Sequence, residues 1–337
     1  MCKIFFLIAQ IFFIVSCSHQ AIRGPNSDSG VLPQTEFKEV VNYTPLNLNM
    51  RAGYSLETKQ LRGCILYLQG LADSIQNHKP YFSRLNDAGY RVIFFDYLGQ
   101  GGSEGSMNDS RIQVELPSNA TAQMRRKYNE LDKYFEIPEQ GDFFWSKYNS
   151  VKNRLGQDCS RSPKIVLGWS TGGLSAYRMA HEKRADAVIL IAPGIHPKLM
   201  VGESALRWDK MLMFRQTITE RTLTRNLFKD VKNPHLDPIK PKSPAIVPQF
   251  GGNLLGVASH ATQWQIDESV RGIVFLSGEE DSYVDRNQTL QTLDKNAHHF
   301  EVKSYDGALH ELDNEVPAVA NDLYENSIRF LDTVTSR

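Results

Sequence analysis

The residues best suited to chemistry are Gly168-Trp169-Ser170-Thr171-Gly172, a G-x-S-x-G run. An apolar stretch, Lys164 to Gly168, leads directly into it. A stretch with helical pattern, Gly172 to Lys183, leads directly out. A sharp strand-to-helix turn of this kind lifts a serine hydroxyl above a sheet, and glycines at 168 and 172 relieve the crowding. Serine is a poor nucleophile at neutral pH and needs an adjacent base, itself oriented by an acid. The chemistry would be acyl transfer through a covalent intermediate on Ser170. The bland alternative is a glycine-rich turn with no chemistry.

Around such a turn the acid follows a later strand and the base follows the last one. Of nine histidines, only His310 follows the last predicted strand and precedes the last helix. His298 and His299 lie before that strand, at the wrong end of the sheet. His181 is in the helix after the serine, and His196, His235 and His260 are in a long excursion. His19 and His78 come earlier still. The acid belongs in Ser277-Gly278-Glu279-Glu280-Asp281, and Asp281 is the choice over Glu279 and Glu280, with Asp285 a further option. An oxyanion needs two backbone donors. The N–H of Thr171 follows the nucleophile, and Gly70 permits close approach of the backbone that offers the N–H of Leu71.

These residues need a sheet to hold them. Short apolar runs at 64–68, 91–96, 164–168, 187–191 and 272–276 read as buried strands, and 300–305 alternates as a strand nearer an edge. Tyr81 to Ala88, much of Asn119 to Leu155, Gly172 to Lys183 and Pro317 to Val334 read as helices. Apolar strands alternating with amphipathic helices predict an α/β fold: a mostly parallel sheet covered on both faces. Phe37 to Leu56 predicts one or two antiparallel edge strands. No βα rhythm is visible between Ile195 and Val270. Helical stretches at Ser204 to Phe214 and Thr217 to Phe228, then five prolines, read as an inserted helical cap over the strand ends, where ligands bind in open α/β sheets. Leu206, Trp208, Met211, Leu212, Met213 and Phe214 would pack cap on core or line an acyl-chain wall.

The chain has 337 residues with 38 basic and 38 acidic side chains. Zero net charge offers no global attraction for nucleic acid, so a nucleic-acid partner is not expected. The four cysteines form no C-x-x-C pair and no Cys/His cluster of zinc spacing, so no metal is expected. Lys3 precedes an apolar run, Ile4 to Val15, too short for a membrane-spanning helix of about 20 residues. Its end, Ile14-Val15-Ser16-Cys17, resembles a bacterial lipobox, with cleavage leaving a lipid-bearing Cys17; the alternative is an ordinary signal peptide with a chance cysteine. The expected segments are 1–16 signal peptide, 17–35 flexible tether, 36–194 core, 195–270 cap and 271–337 core. That reading makes an exported envelope protein anchored to a membrane by lipid, a setting that permits Cys64 and Cys159 to pair or to remain two separate thiols.

Beyond these residues, longer stretches carry a resemblance. Asp96-Tyr97-Leu98-Gly99-Gln100-Gly101-Gly102-Ser103-Glu104-Gly105 is similar to D-x-x-G-H-G-x-S-x-G. Gly307-Ala308-Leu309-His310-Glu311-Leu312 is similar to G-A-x-H-E-L, and Ile191-Ala192-Pro193 to the strand end before a cap. The chain therefore resembles the α/β-hydrolases, and within them the monoacylglycerol lipase and lysophospholipase group of serine hydrolases. It departs from that group in carrying Gln69 and Gln100 where histidines are usual. The resemblance implies hydrolysis of small-molecule lipid esters by Ser170, His310 and Asp281 without a cofactor. A thioesterase or aminopeptidase with the same triad is the alternative enzyme. A catalytically silent envelope binding protein on this fold is the alternative from another class.

Overall fold

The computed structural model describes residues 36–336, apart from 58, 72, 74–77, 106–108, 114–131, 199–247 and 282. The signal, the tether with Cys17, both helical stretches expected at 204–228 and the apolar cap residues lie outside the described residues.

Eight strands form one sheet: β1 Glu36–Tyr43, β2 Leu48–Ser55, β3 Gly63–Leu68, β4 Tyr90–Phe95, β5 Ile165–Trp169, β6 Ala187–Ile191, β7 Arg271–Leu276 and β8 Glu301–Ser304. Their spatial order is β1-β2-β4-β3-β5-β6-β7-β8. Strands β3 to β8 pair in parallel, while β1 and β2 run antiparallel at one edge. The described helices are α1 Lys79–Asp87, α2 Ile137–Tyr148, α3 Thr171–His181, α4 Pro248–Ala261, α5 Arg286–Asn296 and α6 Pro317–Thr335.

The pleat explains why the central strands are apolar throughout. Leu66 and Leu68 of β3, Val166 of β5, Val188 and Leu190 of β6 and Val274 of β7 enter one core, which Phe144 of α2 and Leu174 and Tyr177 of α3 complete. Their neighbours Ile65, Tyr67, Leu167, Ile189, Ile273 and Phe275 enter a second core, closed by Phe82 of α1 and Leu323 and Leu331 of α6. Alternating side chains thus serve both faces. Each such side chain, fully buried, contributes about 2 kcal/mol of transfer free energy.

Of the expected insertion 195–270, residues 248–261 form α4, and Val257, Ala258 and Ala261 join the first core with Leu174 and Tyr177. Gly251, Gly252 and Gly256 lower the local helix propensity and hide the signal. Helix α5 was not expected at all, because nine polar residues surround only Leu290 and Leu293. Among the described part of 119–155, the helical pattern is realised only in a 3-10 turn at Asp132–Phe135 and in α2.

Cys64 and Cys159 are joined by a disulfide. It lies at the start of β3, the end of the sheet remote from Ser170. No helix among the described residues is long and apolar enough to cross a membrane.

Candidate active site

Strand β5 delivers Ser170 and α3 carries the chain away. Ser170 sits at φ 56° and ψ −115°, a left-handed strained conformation for a residue with a side chain. It is held by hydrogen bonds on both sides: its N–H donates to the Ile191 carbonyl at 2.9 Å, and its carbonyl accepts from Gly194 N–H at 2.8 Å. Glycine at 172 is a steric requirement, since a Cβ there would stand 2.0 Å from the Leu68 carbonyl oxygen. Ser170 is partly exposed.

Beyond β7, the chain folds back so that Asp281 is 1 % exposed. One carboxylate oxygen accepts from Tyr283 N–H at 2.7 Å and Val284 N–H at 3.2 Å. The other accepts from the Ser277 hydroxyl and meets His310 Nδ1 at 2.8 Å. Burial alone would raise its pKa. The His310 ring and these donors outweigh burial and hold it below the usual carboxylate value. Lys198 closes the loop from outside, its Nζ donating to the backbone carbonyls of Asp281 at 2.6 Å and Glu279 at 2.9 Å.

His310 follows β8. Its Nε2 lies 2.7 Å from Ser170 Oγ. An ionised Asp281 can only accept, so Nδ1 carries a proton and the Nε2 lone pair faces the serine hydroxyl. Glu315 steadies the approach by accepting from Leu309 N–H at 2.7 Å. Trp169 Nε1 donates to the His310 carbonyl at 3.1 Å, so the residue before the serine also fixes the histidine backbone.

The structure thus brings Ser170, Asp281 and His310 into one chain of contacts and excludes the other acids. Glu279 is exposed and pairs with Arg286 and Asn287. Glu280 is exposed. Asp285 caps α5, accepting from Gln288 N–H at 2.9 Å. Thr171 is the first residue of α3, so its N–H lacks an intrahelical partner and lies at the positive end of the helix dipole. Leu71 follows Gly70, whose missing side chain lets the loop lie on Trp169: a Cβ there would meet the indole at 2.4 Å. Gln69 and Gln100 are buried in the scaffold, and Tyr97 donates to the Gln69 carbonyl at 2.7 Å. Sequence reading missed Trp169, Lys198 and Tyr283, whose ring centroid is 5.0 Å from that of His310. None of these three carries a motif of its own.

The profile of the serine aminopeptidase S33 family matches residues 141–317, over half of the chain, and spans all three of these residues. The chain belongs to the serine aminopeptidase S33 family. No curated protein matches this S33 chain. Solved structures do. A soluble variant of monoglyceride lipase from Saccharomyces cerevisiae, in complex with a substrate analogue, is 16% identical, with a TM-score of 0.60 over 92% of this chain and 99% of that one. The monoacylglycerol lipase of Paleococcus ferrophilus is 14% identical, with a TM-score of 0.56 over 84% and 98%. A thermostable carboxyl esterase from Bacillus coagulans, in complex with glycerol, is 16% identical, with a TM-score of 0.56 over 89% and 98%. The likeness is one of fold, and the S33 chain is an α/β-hydrolase in architecture.

Proposed function

We propose that the protein is a serine hydrolase that cleaves carboxylic esters of lipids, of the monoacylglycerol or lysophospholipid type. The observation that carries this reading is the contact chain of Asp281, His310 and Ser170, with 2.8 Å and 2.7 Å steps. Ser170 Oγ attacks the ester carbonyl while His310 Nε2 takes its proton. Asp281 orients the ring and stabilises its charged form. The N–H groups of Thr171 and Leu71 hold the oxyanion. His310 then protonates the leaving alcohol, and the Ser170 acyl ester remains. Water, deprotonated by His310, attacks that ester, releasing the acid and restoring the serine.

The small-molecule substrate reaches Ser170 from the strand ends. A cap at 195–270, with its apolar Leu206 to Phe214 stretch, is proposed to cover it. Lipidation at Cys17 and export to the cell envelope belong to the same proposal, since an anchored enzyme would meet its substrate at a membrane surface. The family's description favours one second reading, an aminopeptidase using the same residues on an amide. A series of monoacylglycerols, lysophospholipids and p-nitrophenyl esters of rising chain length, run beside aminoacyl p-nitroanilides, separates the two. Turnover of esters with little of anilides supports the proposal, and the reverse order replaces it.

A further inference from the structure

A second group of ionisable side chains lies behind Trp169. His78, at the start of α1, is 1 % exposed. Its Nε2 is 2.7 Å from an Asp73 carboxylate oxygen and its Nδ1 is 2.6 Å from one of Asp313. Carboxylates accept, so the ring donates at both nitrogens and is an imidazolium. The two carboxylates belong to the two loops that flank the serine. Asp73 ends the Gln69-Gly70-Leu71 turn, and its carbonyl accepts from Gln69 Nε2 at 3.1 Å. Asp313 lies three residues past His310, and its carbonyl accepts the Tyr324 hydroxyl at 2.6 Å. The His78 ring centroid is 5.1 Å from that of Trp169, which is 5.4 Å from that of His310.

Two more ionisable groups face His78. Tyr67 of β3 packs its ring 5.2 Å away. Glu311, buried beside Asp313, is pushed well above the usual carboxylate range, first by burial and then by Asp313 and Asp73. Donor atoms of His78, Glu311 and Asp313 lie within 4.8 Å of one another, a spacing that would suit a metal ion. Both ring nitrogens already meet carboxylates, however, so no imidazole lone pair is free for a metal, and protons hold the cluster together.

We propose that His78 is a positioning residue: its imidazolium ties the loop bearing the Leu71 N–H to the loop bearing His310, and so keeps oxyanion donor and general base in register. This rests on the ester hydrolase reading above. Burial favours the neutral ring, but Asp313 and Asp73 outweigh it and keep His78 charged well above the usual imidazole value.

The test uses the full chain as wild type, His78→Gln and Asp313→Asn. Active sites are titrated with a fluorophosphonate, and kcat and KM for a short p-nitrophenyl ester are followed with pH. In His78→Gln, kcat per titrated site falls about tenfold with KM within about twofold, because the reacting groups lose alignment rather than affinity. Removing a positive charge on the far side of Trp169 also raises the acid limb of kcat. Asp313→Asn removes a negative charge, so it moves that limb down. The limbs report the charges, which a merely structural ion cluster would move as well; such a cluster would leave kcat per titrated site at the wild-type value. Wild-type kcat per titrated site in both variants overturns the proposal, whichever way the limbs move. If His78→Gln does not fold, Asp313→Asn decides alone: a fall of about tenfold in kcat per titrated site supports the proposal, and an unchanged value overturns it. A wild type that neither titrates nor turns over ester overturns instead the hydrolase reading beneath it.

Discussion

Asp281 Oδ2 lies 2.8 Å from His310 Nδ1, joining the loop after β7 to the loop after β8 across 29 residues. The contact determines which face of the imidazole offers its lone pair to Ser170. In Asp281→Asn an amide N–H faces Nδ1, and the ring proton moves to Nε2, where it blocks proton transfer from the serine. The expected loss in kcat is about 10³- to 10⁴-fold, with a retained fold, because the amide oxygen can still accept from Tyr283 N–H. Steady-state kinetics beside a circular dichroism melt check this. A loss under about tenfold contradicts the assigned role.

Gly172→Ala places a methyl 2.0 Å from the Leu68 carbonyl oxygen, which is backbone and cannot rotate away. The turn must deform, at a cost of about 3 kcal/mol. A lower melting temperature is expected together with a serine that reacts poorly with a fluorophosphonate even in the folded fraction.

The Cys64–Cys159 disulfide closes a loop with a sequence separation of 95. Constraining a loop of that size in the unfolded chain stabilises the fold by about 4.7 kcal/mol. The double variant Cys64→Ala/Cys159→Ala should lose about that much in urea unfolding. It should keep its turnover at 25 °C, as should reduced wild type, because the bond lies at the opposite end of β3 from the serine.

Stability should fall with rising pH. His78 and Glu311 both bind protons more tightly folded than unfolded. The His78 contribution is complete below its unfolded value of about 6.5 and is lost progressively as pH climbs toward the higher folded value. Glu311 adds the same sign above its own unfolded value. Asp281 has the opposite sign, since its folded value is depressed, and its contribution is lost only in acid. Melting temperatures measured from about pH 6 to 9 should therefore decline in wild type and decline less in His78→Gln. A flat wild-type profile contradicts the assignment of a charged His78.

Much of this was legible because the signals are local. Uniform apolarity in Ala187–Ile191 marks a strand buried on both faces, and a strand running into Gly168-Trp169-Ser170 marks the turn. Helix α4 was not legible, because its glycines mask a helix that packing on Leu174 and Tyr177 stabilises. The acid was only partly legible: four carboxylates compete between 279 and 285, and only the folded loop shows Asp281 buried with donors while Asp285 caps a helix. The Asp73–His78–Asp313 cluster has no linear signature. Its members lie 5 and 235 residues apart, and the sheet topology alone assembles them.

Intact-protein mass spectrometry after exposure to a fluorophosphonate reads directly whether Ser170 is an activated nucleophile. A single adduct is expected on the wild-type chain, mapped by peptide fragmentation to Ser170, and none on Ser170→Ala. No adduct on folded wild type, or equal labelling of Ser170→Ala, would contradict it.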